Sequence, residues 1–540
     1  MKKLYLIPFL LLSSIGLAQE DAWVYFTNKP NAQYYYDNPL QMLSQRALDR
    51  RTNQNIAIDI KDVPIHQQYV DQIDATLGIE VKAKSKWMNA VHVRGSVTDI
   101  NNLSALEFVS HIEFANRSLN VSGRSQNSNQ VNLSNRVNKT LDTQIAFTYG
   151  NSANQVQMLN AHLLHQQDFT GSGKIIAVMD AGFPNVNSIA PFQRLRDNNQ
   201  ILGGYNFVSQ SNDFYTSNSH GTLVLSTMGG YVESQLVGTA PDAKYYLFIT
   251  EDTASENPVE ESYWVEAAEM ADSLGVDVIN TSLGYFQYDN PNYSYTYANM
   301  DGVTSFISRG TNVAFSKGMI CVSSAGNSGA GSNPHIAVPA DALRGFAVGA
   351  VKADETYAVF SSIGPTFDQR IKPDVMAQGQ GAIVSNTTGA IVTANGTSFS
   401  GPIMAGAITS LWQAIPWATN QQVLDFVRQS ANLYTNPTAQ FGYGVPDMQS
   451  ALTFAQLSVN DNGFGKFLVY PNPVQDYLKV SFPNHFSKAS ISIYNNLGQL
   501  ILEEEINPDA IIVFDNLSNG IYTYSLKSGD FVQFGKLVKK

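Results

Sequence analysis

The sequence predicts an α/β protein: a parallel sheet covered by helices on both faces, preceded by a small α+β unit and followed by a small β-sandwich. Three observations lead to this. From about 150 to 458, short apolar runs alternate with helix-length stretches; from about 20 to 117, strand-like and helix-like segments interleave; from 468 to 540, short β-type runs follow one another without helical period. Continuous apolar strands alternating with helices indicate a sheet buried on both faces. Mixed elements in a short span indicate an α+β unit, and closely spaced short strands a sandwich.

At 540 residues the chain exceeds the size at which one core stops growing, so two to four domains are expected. Apolar residues at 44% and charged residues at 14% suit filled cores and exclude a disordered chain. A net charge of -12 argues against binding to nucleic acid, which needs clustered Lys and Arg to displace phosphate counterions. Cys321 is the only cysteine, which excludes an intramolecular disulfide and a cysteine-based zinc site; its apolar flanks mark a buried strand thiol.

Taken in order, residues 1–18 read as a secretory signal: Lys2 and Lys3, an apolar run from Leu4 to Leu12, then Gly16-Leu17-Ala18 at the cleavage positions, with the mature chain starting near Gln19. No stretch reaches the roughly 20 apolar residues of a membrane helix, so export without membrane insertion is expected. In the α+β unit, Trp23 to Phe26 is a strand, a polar helical stretch runs through Ala47 and Arg50, and a second helix covers Tyr69 to Leu77. Strands at Ile79 to Ala83 and Ala90 to Val93, a helix near Asn101 to Phe108 and a strand from Val109 to Phe114 complete it. The alternative is that this segment is the first layer of the large domain. Residues 118–149, dominated by Asn, Ser, Arg and Gln, read as a linker open to proteolysis.

In the large domain, 150–458, strands are expected at Ile175 to Met179, Tyr245 to Ile249, Val276 to Ile279, Met319 to Ser323 and Phe346 to Val351. Helices are expected near Val156 to His165, Glu261 to Leu274, Ile403 to Gln413 and Gln421 to Gln429. A second linker, 459–467, precedes the β-rich end, where Asn495-Asn496-Leu497-Gly498 and Ser518-Asn519-Gly520 mark turns among seven strands.

Sites in such sheets form beyond the carboxyl ends of strands. Asp180 ends one expected strand and Asn327 follows another, while His220 and Ser398 stand at or just before the amino ends of apolar helical stretches. A helix amino terminus offers unpaired N–H groups and about half a positive charge, which suits an oxyanion. The three segments Val178-Met179-Asp180-Ala181-Gly182, Ser219-His220-Gly221-Thr222 and Asn395-Gly396-Thr397-Ser398-Phe399-Ser400-Gly401-Pro402 supply what a serine hydrolase needs. A serine hydroxyl is a poor nucleophile until an imidazole takes its proton, and a buried carboxylate fixes that imidazole's tautomer. Each segment alone has an ordinary structural reading: strand-end turn, core histidine, helix start.

Together the segments resemble the subtilisin-like serine proteases, whose chain order is Asp, His, Ser; Gly396-Thr397-Ser398 matches the nucleophile motif and His220-Gly221-Thr222 the base motif. The resemblance implies that Asp180, His220 and Ser398 form the triad and that Asn327, in Ser324-Ala325-Gly326-Asn327-Ser328-Gly329, stabilises the oxyanion together with the Ser398 N–H. It also implies that Ser282, Leu283 and Gly284 pair with the substrate and form one pocket wall, Ala325 and Gly326 the other. Ala181 departs from the family, which usually has Ser or Thr there, and removes a hydroxyl beside the carboxylate. Residues 19–117 resemble a family propeptide, an intramolecular chaperone and inhibitor. The tail resembles a type IX secretion sorting domain, through Val469-Tyr470-Pro471-Asn472-Pro473, Tyr494 to Gly498, Leu517 to Tyr522 and Gly535 to Lys540. The expected function is a secreted serine endopeptidase acting on proteins or peptides, with no cofactor required for chemistry; calcium is common among relatives, but no loop here has its ligand spacing. The rival readings are a catalytically inactive binding or adhesion protein of the same fold and, third, a lipase or esterase, for which the Gly-x-Ser-x-Gly elbow is lacking.

Overall fold

The computed structural model describes residues 19–120, 147–462, 467–482, 486–508, 510–514, 517–529 and 531–540. The expected signal at 1–18 and linker residues 121–146 lie outside them, as do 463–466.

The first unit is a four-stranded antiparallel sheet in the order β2-β3-β1-β4. Its elements are β1 (Gln19–Phe26), α1 (Ala32–Asp37), α2 (Gln45–Asn53), α3 (Gln67–Asp74), β2 (Ile79–Ser85), β3 (Ala90–Ser96), α4 (Val97–Asn102) and β4 (Val109–Phe114). The strand period of two explains how one sheet serves two cores. Ala22, Val24 and Phe26 of β1 face inward with Val70, Ile73, Ile100 and Leu103. Trp23 and Tyr25 face the other way, into the core of the large domain, where Trp23 stacks on Phe306 with ring centroids 5.0 Å apart. The segment therefore has a core of its own and docks on the large domain.

The large domain continues with α5 (Ala153–Gln157), α6 (Ala161–Gln166), β5 (Ile175–Asp180), α7 (Gln193–Asp197), β6 (Ile201–Asn206), α8 (His220–Gly229), β7 (Tyr231–Val232), β8 (Leu236–Val237) and β9 (Lys244–Ile249). Then come α9 (Val259–Leu274), β10 (Val278–Thr281), α10 (Phe306–Ser316), β11 (Ile320–Ser324), β12 (Phe346–Val351), β13 (Val375–Gln378), β14 (Gln380–Ser385) and β15 (Ile391–Asn395). Three helices end it: α11 (Thr397–Ala414), α12 (Asn420–Gln429) and α13 (Met448–Asn462). Seven strands form one sheet in the order β13-β12-β11-β10-β5-β9-β6, all paired in parallel. From β5 the chain builds outward to β6 and β9 on one side, then crosses to β10 and beyond on the other, which puts the switch point at the carboxyl end of β5.

Several elements differ from the expectation; the helix expected near Asn101 to Phe108 is α4, which ends at Asn102. The helix expected over Val156 to His165 is broken into α5 and α6 because Asn160 takes a left-handed φ of 51°, a conformation Asn tolerates. The strand expected from Val276 begins at Val278, since Val276 N–H still closes the exit of α9 on the Ala271 carbonyl. The helix expected from Ile403 begins at Thr397. α13 runs on through Asn462, four residues into the stretch expected as a linker.

The C-terminal unit has seven strands, β16 (Leu468–Tyr470), β17 (Tyr477–Ser481), β18 (Ala489–Tyr494), β19 (Leu500–Ile506), β20 (Ile511–Val513), β21 (Gly520–Ser528) and β22 (Phe531–Lys539). They form sheets ordered β16-β17-β20 and β19-β18-β21-β22, enclosing Val474, Leu478, Ile491, Ile493, Leu526 and Leu537.

Trp264 of α9 is fully buried and donates its indole N–H to Thr281 Oγ1 at 3.0 Å, tying the helix to the end of β10. Trp264→Ala leaves a cavity and an unpaired hydroxyl there. It is expected to cost about 3–5 kcal/mol, read as a lowered denaturant midpoint by circular dichroism; an unchanged midpoint would contradict this account of the helix's anchorage.

Candidate active site

Asp180 closes β5 at the switch point, its carbonyl accepting Thr250 N–H at 3.1 Å. Its side chain is 1% exposed. Oδ1 accepts the Ala181 N–H at 2.8 Å and His220 Nδ1–H at 2.7 Å. Oδ2 is buried and has no partner among the described residues. Residue 181 is alanine, so its side chain offers Oδ2 no donor.

His220 opens α8, its backbone N–H held by Asn218 Oδ1 at 2.9 Å. The helix reaches Asp180 because residue 221 is glycine: a Cβ there would stand 2.4 Å from the Gly182 carbonyl oxygen and 3.0 Å from Asp180 Cβ. An ionised carboxylate only accepts, so Nδ1 carries the hydrogen and Nε2 presents a lone pair. The Asp180 charge and hydrogen bond hold the imidazole above its ordinary value against desolvation.

Ser398 lies in the first turn of α11, entered through Gly396 at φ +152°. Six positions into this helix stands Pro402, which has no N–H to give the carbonyl four residues earlier. That carbonyl belongs to Ser398, and the Ser282 hydroxyl fills the gap by donating to it at 3.0 Å. Ser282 Oγ is itself fixed by Asn280 Nδ2 at 3.1 Å. In return Ser398 Oγ donates to the Ser282 carbonyl at 3.3 Å. Among the described residues no hydrogen bond joins Ser398 to His220; the two sides of the site meet through Phe399, whose ring centroid is 6.1 Å from the imidazole.

Asn327 follows β11 and is bound to the start of α11. Its Oδ1 accepts Thr397 N–H at 2.9 Å and the Thr397 hydroxyl at 3.0 Å, which turns Nδ2 outward with no acceptor among the described residues. Nδ2 and the Ser398 nitrogen both lie 3.7 Å from the point where a Cβ on Gly396 would stand. Two N–H donors thus share one small space beside Ser398. Gly326 takes φ +107°, where a side chain would meet Ser362 Oγ at 2.8 Å.

The two expected substrate walls extend from neighbouring strands. Ser282, Leu283 and Gly284 follow β10, and Ala325 and Gly326 follow β11. Ser282 and Ala325 are buried, Leu283 and Gly326 half-buried and Gly284 exposed. A Cβ on Gly284 would stand 3.0 Å from the Val338 carbonyl oxygen, so Ala337 and Val338 line the space beside it, a segment that sequence reasoning missed. Ser282 as a prop for Ser398 was also missed, although Pro402 four residues beyond Ser398 was a legible signal. So was Glu251, which burial pushes up to about 8 and whose Oε1 accepts the Tyr285 hydroxyl. Among the described residues no group of three or more His, Cys, Asp or Glu could hold a metal ion.

A parallel sheet with a carboxylate-bound imidazole, a helix-start serine and two convergent N–H donors defines a serine hydrolase. The Subtilase family model matches residues 171–444, the Bacteroidota Peptidase S8 propeptide domain residues 21–133 and the Secretion system C-terminal sorting domain residues 468–540. Subtilisin NAT of Bacillus subtilis subsp. natto is 32% identical over 304 residues, 55% of this chain and 70% of that protein. Subtilisin of Bacillus pumilus is 32% identical over 304 residues, 55% of this chain and 97% of that protein. The structure of MycP3 protease from the type VII (ESX-3) secretion system covers 58% of this chain and 91% of its own at 19% identity, with a TM-score of 0.45. The chain belongs to the subtilase family: it is a serine-type endopeptidase with a propeptide domain and, by its sorting domain, a secreted or cell-surface protein. Among the described residues no helix is long and apolar enough to cross a membrane.

In the Ser398→Ala protein the His220 ring should titrate above about 6.5, followed by proton NMR, and Asp180→Asn should bring the midpoint down. The sign follows from the raised value: the imidazolium–carboxylate pair stabilises the fold below the ordinary value and that contribution fades as pH climbs through the raised one. A midpoint indifferent to Asp180→Asn would sever the electrostatic link.

Proposed function

We propose that this subtilase cleaves peptide bonds through an Asp180-His220-Ser398 triad and an acyl-enzyme intermediate. The observation that carries the reading is the 2.7 Å bond from His220 Nδ1 to a carboxylate that is 1% exposed, which leaves Nε2 basic. Ser398 Oγ leaves the Ser282 carbonyl by a side-chain rotation, a fast motion, and gives its proton to Nε2 as it attacks the scissile carbonyl carbon. Negative charge on the carbonyl oxygen is received by Asn327 Nδ2–H and the Ser398 N–H. His220 then protonates the leaving amine, and water repeats the sequence on the acyl ester. Ser282, Leu283, Gly284, Ala325 and Gly326 line the bound peptide. Residues 19–117 act as propeptide inhibitor of the same chain, and 468–540 engage the secretion machinery.

The bare Asp180 oxygen and the turned Ser398 hydroxyl favour a second reading, an inactive binding protein of this fold. A fluorophosphonate probe on processed protein decides between them: labelling lost on Ser398→Ala supports the protease, and no labelling of the unmodified protein supports the binding protein. Asn327→Ala is expected to lower kcat by about 100- to 1,000-fold with little change in KM, measured on a peptide substrate. Ala181→Ser, by offering Asp180 one hydrogen bond worth about 1 kcal/mol, is expected to raise kcat/KM by less than about tenfold; a larger gain would show a triad far more crippled than its geometry.

A further inference from the structure

Between β1 and α3 the propeptide carries α2, whose arginines enter a socket of the catalytic domain. Arg50 Nη2 pairs with Asp272 Oδ1, and the same guanidinium donates to the carbonyls of Val276, Asp272 and Lys317. Arg51 Nη2 lies 2.8 Å from both Asp272 oxygens and 2.9 Å from Asp62 Oδ1. The side chains of Arg50, Arg51, Asp62, Asp272 and Lys317 are 4%, 2%, 0%, 0% and 1% exposed. At the rim, Arg46 donates to the Gly275 carbonyl at 2.9 Å and pairs with Asp277 while 40% exposed. The catalytic-domain acceptors are chemically coherent: the Asp272 and Asp277 carboxylates together with carbonyls at the ends of α9 and α10, which carry partial negative charge.

The socket lies far from the catalytic chemistry. Asp277 precedes β10, and its Oδ2 accepts the Ile175 N–H at the start of β5 at 2.9 Å, whereas Asp180 ends β5. A six-residue strand at about 3.3 Å per residue separates the two edges of the sheet by ~17 Å. The acceptors surround the planar fork of Arg50, which distributes several N–H donors at fixed angles; a lysine ammonium has three donors at one point.

We propose that the Asp272 socket is a second binding site of the catalytic domain, selective for the paired arginines of an α-helix, which keeps the propeptide attached after the 118–149 linker is cut. This rests on the reading of that linker as the processing region and not on Ser398. The test uses the full chain with Ser398→Ala and a site for a sequence-specific protease inserted in the linker. After cutting, release of the N-terminal fragment is timed by gel filtration. Arg50→Lys with Arg51→Lys should speed release at least tenfold, Asp272→Asn similarly, and all three together no more than either set. Arg46→Gln, at a rim position 40% exposed, should speed release a few-fold and decides the matter if the buried variants do not fold. Fragment that leaves all variants at one rate, or leaves the unmodified cut chain at once, overturns the proposal. Failure of the protease reading shows separately, as unmodified protein that no fluorophosphonate labels.

Discussion

Burial of the Asp180 carboxylate is the constraint around which the active site is arranged. A carboxylate taken out of water needs compensation, and here one oxygen receives both available donors, the Ala181 N–H and His220 Nδ1–H. The imidazole is thereby held in one tautomer and raised toward its cation. The second oxygen is bare, so nothing but the imidazole competes for the charge from the side-chain direction. In this chain the Ala181 N–H and His220 Nδ1–H together offset that charge.

The serine side of the site depends on a different constraint, a deliberate defect in α11. Pro402 withholds the hydrogen bond that the Ser398 carbonyl would receive in a regular helix, and a buried unpaired carbonyl is costly. Ser282 meets the need from the end of β10. Ser398 is thus tied to the strand whose continuation, Leu283-Gly284, forms the expected substrate wall. Asn327 does the same from β11 by gripping Thr397. Two strands therefore register the helix start, and a shift of α11 would disturb the bonds of Ser398 to Ser282 and of Thr397 to Asn327 together.

The sequence made the local chemistry legible because strand ends and helix starts carry short-range signals: Asp180 after an apolar run, His220 and Ser398 before apolar helices. The sandwich was equally legible from strand spacing. What escaped was set by partners distant in the chain. β6, interrupted by Gly203-Gly204, and β13, only four residues long, are the edge strands. α2 reads as a polar surface helix, since Arg46, Arg50 and Arg51 look solvated until Asp272 and Asp277 are brought to them from more than 200 residues away. The break at Asn160 is fixed partly by Asp447, which accepts its side-chain amide at 2.8 Å, and no local window contains both.

The propeptide interface combines two kinds of interaction with different consequences for separation. Trp23 on Phe306 is apolar and resists exposure to water. Around it, Glu269 of α9 accepts from Ser85 and from the Lys86 and Trp87 N–H groups, and Asp272 accepts from the two arginines. These carboxylates sit on the surface that the catalytic domain would expose alone, where water can replace the propeptide's donors. A hydrogen bond to a charged group is worth about 1.5–3 kcal/mol net of the water it displaces, so water can replace these donors at a modest cost. Glu261, by contrast, takes its donors from Tyr288, Tyr295 and the Ile307 N–H, all within the catalytic domain, so its burial survives separation. α9 accordingly divides into a residue that serves the domain permanently and residues that serve it only while the propeptide is present. Separation would uncover the apolar residues that share a core with Trp23 and Tyr25 as well as these polar groups.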